Sequence, residues 1–120
     1  MTKASNDRLL DLILGCLEDH RAEEIVAVSL SGKSSIADYL VIASGRSSRQ
    51  LVSTAEILSR QLREVGESIL GIEGMQQGDW VLIDAGTVIV HLFRPEIRSL
   101  YRLEEMWGME ESTAVAVGFA

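Results

Sequence analysis

The serines and histidines are the first residues that could do chemistry, as the nucleophile and base of a hydrolase. Five serines cluster in the first half of the chain: Ser34, Ser35, Ser44, Ser47 and Ser48. None stands in the Gly-x-Ser-x-Gly turn that exposes a nucleophile between a strand and a helix. His91 falls inside an apolar run typical of a strand. The pattern therefore favours a partly buried strand histidine over a catalytic base.

A second candidate for chemistry is the triplet Gly32-Lys33-Ser34, which matches the end of a phosphate-binding P-loop. That loop also requires a glycine five residues earlier, and it must open a helix. The earlier position is Ala27, and the triplet joins two predicted strands. We therefore exclude a P-loop.

The next segment offers a candidate anion contact at a helix N-terminus, where free N–H groups and a positive dipole end favour negative charge. Its members are Gly45, Arg46, Ser47, Ser48 and Arg49. The same residues also fit a glycine turn followed by a capping box, in which Ser47 and Gln50 satisfy each other's backbone N–H groups. The capping interpretation is favoured, and the anion contact stays open.

Asp79 and Asp84 are a pair of carboxylates that could hold Mg²⁺ or transfer protons. They bracket one predicted strand, so they point to opposite faces and lie ~16 Å apart. They cannot form one site by themselves. A nucleotide-binding or nucleotidyltransferase-like enzyme that combined them with the turn at Gly45 is the alternative to a non-catalytic function.

Hydrophobic spacing and turn residues predict the elements that would position these groups. Helices are predicted over 5–20, from the Ser47 cap to Gly66, and from Pro95 to Gly108. Strands are predicted over 25–30, 39–43, 68–72, 79–84 and 87–93. Ala85-Gly86 is typical of the tight turn of a hairpin.

This order of elements predicts an α/β fold: a single domain with a mixed five-stranded sheet and flanking helices. The short link between the first two strands favours an antiparallel pair, and a strand–helix–strand step favours a parallel one. The domain is expected to span 1–108. Residues 109–120 are small, acidic or weakly apolar, and we expect a flexible C-terminal tail.

Composition limits the partners and the compartment. The 120 residues carry 18 acidic and 11 basic side chains, a net charge of −7, which disfavours direct nucleic-acid binding and suits a basic protein. The lone Cys16 can form neither an internal disulfide nor a metal cluster. No apolar run approaches the ~20 residues of a membrane helix, and no signal peptide is visible. We expect a cytoplasmic protein with no cofactor, no metal and no membrane association.

Alternation along the predicted hairpin places Trp80 and Leu82 on one face of their strand, and His91 and Phe93 on one face of the next. The opposite faces of both strands are equally apolar. Either helices cover both faces of the sheet or one face binds a partner. A tryptophan at a strand start is a common anchor of protein interfaces.

An ordered set of motifs resembles the ribosomal silencing factor family, also called Iojap-like. In chain order the matching stretches are GKSSI at 32–36, IASGRSSR at 42–49, EG at 73–74, GDWVLID at 78–84, GTVIVH at 86–91 and RSLYRLE at 98–104. No single motif is specific, but the ordered set covers about residues 9–108.

The resemblance implies a partner and a mechanism. Members bind the large ribosomal subunit (50S) at large-subunit ribosomal protein number fourteen, which faces the small subunit, and so repress translation when nutrients are scarce. The family fold looks like that of nucleotidyltransferases, but this chain lacks their Gly-Ser turn and Asp-x-Asp pair. The resemblance therefore implies no catalysis. Some members are similar to symmetric dimers, so a homodimer is a further interpretation of the resemblance.

The partner-binding residues implied by the resemblance are those that match the family's motifs on the hairpin and on the last predicted helix. They are Trp80, Leu82, His91, Phe93, Arg98 and Tyr101.

Overall fold

The computed structural model describes residues 3–30, 37–96 and 114–116. Two helices and six strands lie within them, in the order α1 (Lys3–Asp19), β1 (Glu23–Ser29), β2 (Tyr39–Ser44), α2 (Ser48–Glu64), β3 (Gly71–Glu73), β4 (Trp80–Asp84), β5 (Val88–Phe93) and β6 (Ala114–Ala116). The predicted turn over 31–35, which contains the Gly32-Lys33-Ser34 triplet, and most of the predicted last helix lie outside the described residues. No helix in the described part of the chain is long and apolar enough to cross a membrane.

The second helix begins and ends where its sequence predicts. Oγ of Ser47 accepts a hydrogen bond from the backbone N–H of Gln50, and Oε1 of Gln50 accepts one from the N–H of Arg46. The Ser47 half of the predicted capping box is therefore present, whereas Gln50 accepts from the residue before the cap instead of from Ser47. The helix ends before Gly66, whose φ of 83° lies in the left-handed region that glycine adopts without strain.

The strands form one mixed sheet in the order β3-β4-β5-β2-β1-β6. The predicted α/β class is confirmed, and all five predicted strands are present. β1 and β2 are antiparallel, as their short connection predicts, and β4 and β5 form the predicted hairpin. The parallel pair is β2 with β5, so the chain passes through α2, β3 and β4 before it returns to the centre of the sheet.

Three residues of the predicted C-terminal tail form a strand. Ala114–Ala116 form β6, which pairs antiparallel with Val26, Ala27 and Val28 of β1. Without β6, β1 would be an edge strand with unpaired backbone groups, and a short segment of small residues can satisfy that edge. The domain boundary predicted near residue 108 stays a prediction.

Both described helices pack on the same face of the sheet, which we call the helix face. Its buried core is built from α1, α2, the turn residue Ala85 and four of the strands: Leu9, Ile13, Cys16, Leu17, Ile25, Ala27, Val41, Ala43, Leu51, Ala55, Leu58, Leu62, Val81, Ile83, Ala85, Val88, Val90 and Leu92. A second, smaller cluster on the other face contains Val28, Leu30, Ala37, Leu40, Ile42 and Phe93. Neither α1 nor α2 contributes to this second cluster.

The packing of α2 on the sheet can be tested with two leucines that differ in burial. Leu58 is 0% exposed and Leu70 is 69% exposed. Leu58→Ala should lower the free energy of unfolding by about 2–5 kcal/mol, because it leaves a cavity in the core. Leu70→Ala should change it by less than about 0.5 kcal/mol. Urea unfolding followed by circular dichroism measures both, and equal losses would contradict the arrangement.

Candidate protein-binding surface

The pairing of β4 with β5 brings four of the six predicted partner-binding residues together. Trp80 lies opposite Phe93, and Leu82 lies opposite His91. Cross-strand partners share a face of the sheet, so these four side chains form one patch on the face away from α1 and α2. We call it the aromatic patch. The two other predicted residues, Arg98 and Tyr101, lie outside the described residues.

Burial divides the aromatic patch into two layers. Trp80 and Leu82 are partly exposed, whereas His91 is 5% exposed and Phe93 is 0% exposed. The expectation that all four would touch a partner stays a prediction. Their side chains have almost no accessible surface, so in this conformation they can only support the exposed pair.

The three rings of the patch are in mutual contact. The centroids of Trp80 and Phe93 are 4.8 Å apart with the planes tilted by 31°. The rings of His91 and Phe93 are nearly parallel, at 8° and 5.9 Å. Aromatic pairs at these distances are favourable beyond the area that they bury. Two rings of the aromatic patch thus contact the indole.

A hydrogen bond fixes the remaining freedom of the indole. Nε1–H of Trp80 donates to Nδ1 of His91 over 2.9 Å. Nδ1 must be unprotonated to accept, so the imidazole is neutral and carries its proton on Nε2. Burial lowers the pKa of His91 from its usual 6.5 to about 4, which keeps this neutral form at physiological pH.

Backbone geometry also positions Trp80, through Gly74, which the sequence analysis names only as part of the EG motif at 73–74. A Cβ atom added to Gly74 would lie 1.9 Å from the carbonyl oxygen of Trp80. Gly74 also has a φ of 90°, where other residues are strained. The loop from β3 to β4 can therefore pass the start of β4 only with glycine here.

Charged side chains border the patch beside Trp80. Nη2 of Arg94 lies 2.5 Å from Oε1 of Glu96, and its Nη1 lies 3.8 Å from Oδ1 of Asp79. The backbone N–H of Arg94 also donates to the carbonyl oxygen of Asp79. These partly exposed ion pairs contribute little stability, but they tie the start of β4 to the end of β5.

The two candidate metal carboxylates have structural roles. Oδ1 of Asp84 accepts a hydrogen bond from the backbone N–H of Gly86, which stabilises the hairpin turn. Asp79 lies beside Arg94 at the other end of β4. Within the described ranges no three His, Cys, Asp or Glu residues are grouped so that they could hold a metal ion. The arrangement fits the interpretation as strand-end and turn residues.

Most residues of the candidate anion contact already interact with other residues of this chain. Nε of Arg46 pairs with Glu23 at 2.5 Å, and Ser47 caps α2. Gly45 is buried against the side chain of Leu51, which a Cβ would approach to 2.7 Å. Ser48 and Arg49 are the first residues of α2. The geometry supports the capping interpretation of this segment.

One groove lies outside every site that the sequence indicates. It has a volume of about 600 Å³ and runs between α2 and β3, with Ser59, Arg60, Arg63, Ile72 and Met75 in its lining. Oγ of Ser59 is buried there with no hydrogen-bond partner. Its charges are mixed, and it is open to solvent on the helix side, away from the aromatic patch.

The capping role of Ser47 gives a stability prediction. Ser47→Ala removes the acceptor for the N–H of Gln50 and should lower the free energy of unfolding by about 1 kcal/mol. Ser53→Ala, in the exposed interior of α2, is the matched control and should be neutral or stabilising by up to about 0.5 kcal/mol. Chemical denaturation compares the two, and an unaffected Ser47→Ala protein would reject the cap.

The neutral state of His91 predicts a pH dependence of stability. Between pH 6.5 and about 4, the unfolded chain binds a proton that the folded chain does not, so stability falls as the pH falls. The slope is about 1.4 kcal/mol per pH unit where this difference is complete. His91→Asn, which keeps an acceptor near the Nδ1 position but does not titrate, should lose this contribution.

Thermal unfolding across this pH range measures the slope, and His20→Asn is the matched control because it leaves His91 in place. A slope that survives in His91→Asn but disappears in His20→Asn would contradict the assignment.

The chain matches a family model and several known proteins. The family model described as ribosomal silencing factor during starvation matches residues 2–118. The ribosomal silencing factor of Zymomonas mobilis is 49% identical over 112 residues, which cover 93% of this chain and 84% of that protein. The mouse protein named mitochondrial assembly of ribosomal large subunit protein 1 is 30% identical over 101 residues, which cover 82% of this chain and 44% of that protein.

The fold also matches that of a solved structure. A crystal structure of a protein from Chromobacterium violaceum superposes with a TM-score of 0.83 at 35% sequence identity, and the match covers 95% of this chain and 94% of that one. The resemblance carried by the motifs is therefore confirmed. The chain belongs to the ribosomal silencing factor family.

Proposed function

We propose that this chain binds the large ribosomal subunit at large-subunit ribosomal protein number fourteen (uL-fourteen) and blocks association with the small subunit by occupying the joining surface. Translation is repressed as a result, under nutrient limitation. The observation that carries the proposal is the partly exposed pair Trp80 and Leu82, which lies on the face of the sheet away from α1 and α2. A relative is named for the assembly of a large ribosomal subunit, which supports this choice of subunit.

The aromatic patch has the features of an interface anchor. Binding energy at protein interfaces concentrates in a few large side chains, and tryptophan is prominent among them. Trp80 rests on Phe93 and His91, so its indole is ordered before a partner arrives. A preorganised anchor loses less conformational entropy on binding.

Charge favours a basic protein as the partner. The net charge of −7 attracts such a protein over distance and raises the rate of encounter. The same charge opposes contact with RNA, so the proposal assigns the recognition to ribosomal protein. Steric exclusion needs neither a cofactor nor catalysis, and the proposed site of action is the cytoplasm.

The enzyme alternative gains no support from the geometry. Asp79 and Asp84 lie at opposite ends of β4, and Asp84 is engaged by the turn at Gly86. The phosphate-favouring N-terminus of α2 is capped by Ser47. A nucleotide would therefore find no paired carboxylates at these positions, and the N–H of Gln50 is already engaged by Ser47. Homodimer formation through the aromatic patch remains the competing use of the same surface.

The proposal predicts a large effect of truncating the anchor. Trp80→Ala should weaken binding to isolated large subunits by more than ~2 kcal/mol, about thirtyfold in Kd. Sedimentation of the protein with large subunits through a sucrose cushion measures the affinity. Light scattering on mixing the two subunits then shows whether the variant still prevents their association.

Val65→Ala is the matched control, because Val65 is 59% exposed at the end of α2, away from the aromatic patch. It should bind and block like the wild-type chain. Wild-type affinity of Trp80→Ala would reject the proposed surface. A wild-type chain that sediments only as a dimer and never with subunits would favour the homodimer instead.

A further inference from the structure

The only hydrogen-bond donor of the Trp80 indole is already used inside the protein. Its Nε1–H lies 2.9 Å from Nδ1 of His91, and an indole has no second polar group. Phe93 supports the same indole, with ring centroids 4.8 Å apart. Two residues with almost no accessible surface therefore fix the orientation of one that is partly exposed.

We infer that His91 is a positioning residue, which promotes partner binding by fixing the indole of Trp80 without touching the partner itself. This inference rests on the proposed function, because it concerns the same surface. It separates the predicted partner-binding residues into Trp80 and Leu82, which make contact, and His91 and Phe93, which support them.

The hydrogen bond also indicates what the partner presents to Trp80. An acceptor on the partner would have to compete with His91 for the single N–H group. The carbon skeleton of the indole is instead suited to an aliphatic or cationic side chain, through dispersion and cation–π attraction. A basic protein surface supplies such side chains as the stems and charged heads of lysine and arginine.

Two substitutions at His91 separate hydrogen bonding from packing. His91→Leu fills much of the same space but leaves the indole N–H with no acceptor in the patch. His91→Asn is smaller, yet its Oδ1 lies near the position of Nδ1 and can accept the same hydrogen bond. A role in packing alone predicts that leucine is the better substitute, whereas a positioning role predicts that asparagine is.

A double-mutant cycle with Trp80 tests the inference. Affinity for isolated large ribosomal subunits is measured for the wild-type chain, His91→Leu, Trp80→Phe and the double variant. His91→Leu should weaken binding about tenfold when Trp80 is present, which corresponds to the loss of one hydrogen bond. In the Trp80→Phe background it should have little further effect, because a phenyl ring has no N–H to position. His91→Asn should retain most of the affinity.

Equal losses from His91→Leu in both backgrounds would overturn the inference, since His91 would then act independently of the indole. So would wild-type affinity of His91→Leu with Trp80 present. The cycle is interpreted only for variants that melt as cooperatively as the wild-type chain. If the His91→Leu chain does not fold, the affinity of His91→Asn is measured alone and combined with Trp80→Phe. Near wild-type affinity of His91→Asn supports the positioning role, and equal large losses from His91→Asn in both backgrounds would overturn it.

A second readout does not depend on the ribosome. In ¹⁵N spectra, the indole N–H of Trp80, assigned by its loss in Trp80→Phe, should exchange slowly with solvent in the wild-type chain and faster in His91→Leu. Unchanged exchange would overturn the positioning role. If the wild-type chain does not bind large subunits at all, the proposed function fails, and this exchange measurement alone decides whether His91 positions the indole.

Discussion

The register of the β4–β5 hairpin is the constraint on which the surface depends. Trp80 lies opposite Phe93 and Leu82 opposite His91, and a shift of one residue would turn the tryptophan toward the helices. The turn fixes this register, because the N–H of Ala85 donates to the carbonyl of Val88 and Oδ1 of Asp84 holds Gly86. A few local hydrogen bonds thus decide which side chains reach solvent.

The register also determines which side chains of β4 are buried and which are exposed. Val81 and Ile83 of β4 are fully buried against the helix face, so they bind the strand to the core. The alternate residues Trp80 and Leu82 are partly exposed on the other face. A short strand with one face in the core is rigid, and rigid elements hold binding residues more accurately than loops do. The proposed interface is accordingly built on the sheet.

The parts of the fold that local sequence determines could be predicted. Ser47 and Gln50 identify the start of α2, Gly66 its end, and Ala85-Gly86 the hairpin, because caps and turns depend on neighbouring residues. The parallel pairing of β2 with β5 and the addition of β6 beside β1 depend on contacts between distant residues. Periodicity alone does not contain that information.

The candidate site shows the same limit. Alternation correctly placed His91 and Phe93 on the face of Trp80, but it could not show that these two are buried whereas Trp80 is partly exposed. That distinction depends on what surrounds the strand in three dimensions, where Phe93 joins a cluster with Leu40 and Ile42 from β2. The acceptor role of His91 likewise depends on its diagonal position from Trp80 across two strands. Such pairs become visible only once the register is known.

Photo-crosslinking on isolated large subunits tests the central claim most directly. A photoreactive amino acid at the position of Leu82 lies in the aromatic patch, and one at the position of Arg60 lies on the exposed side of α2. The account predicts that position 82 crosslinks to large-subunit ribosomal protein number fourteen and that position 60 does not. Crosslinks to that protein from position 60 alone, with none from position 82, would contradict it.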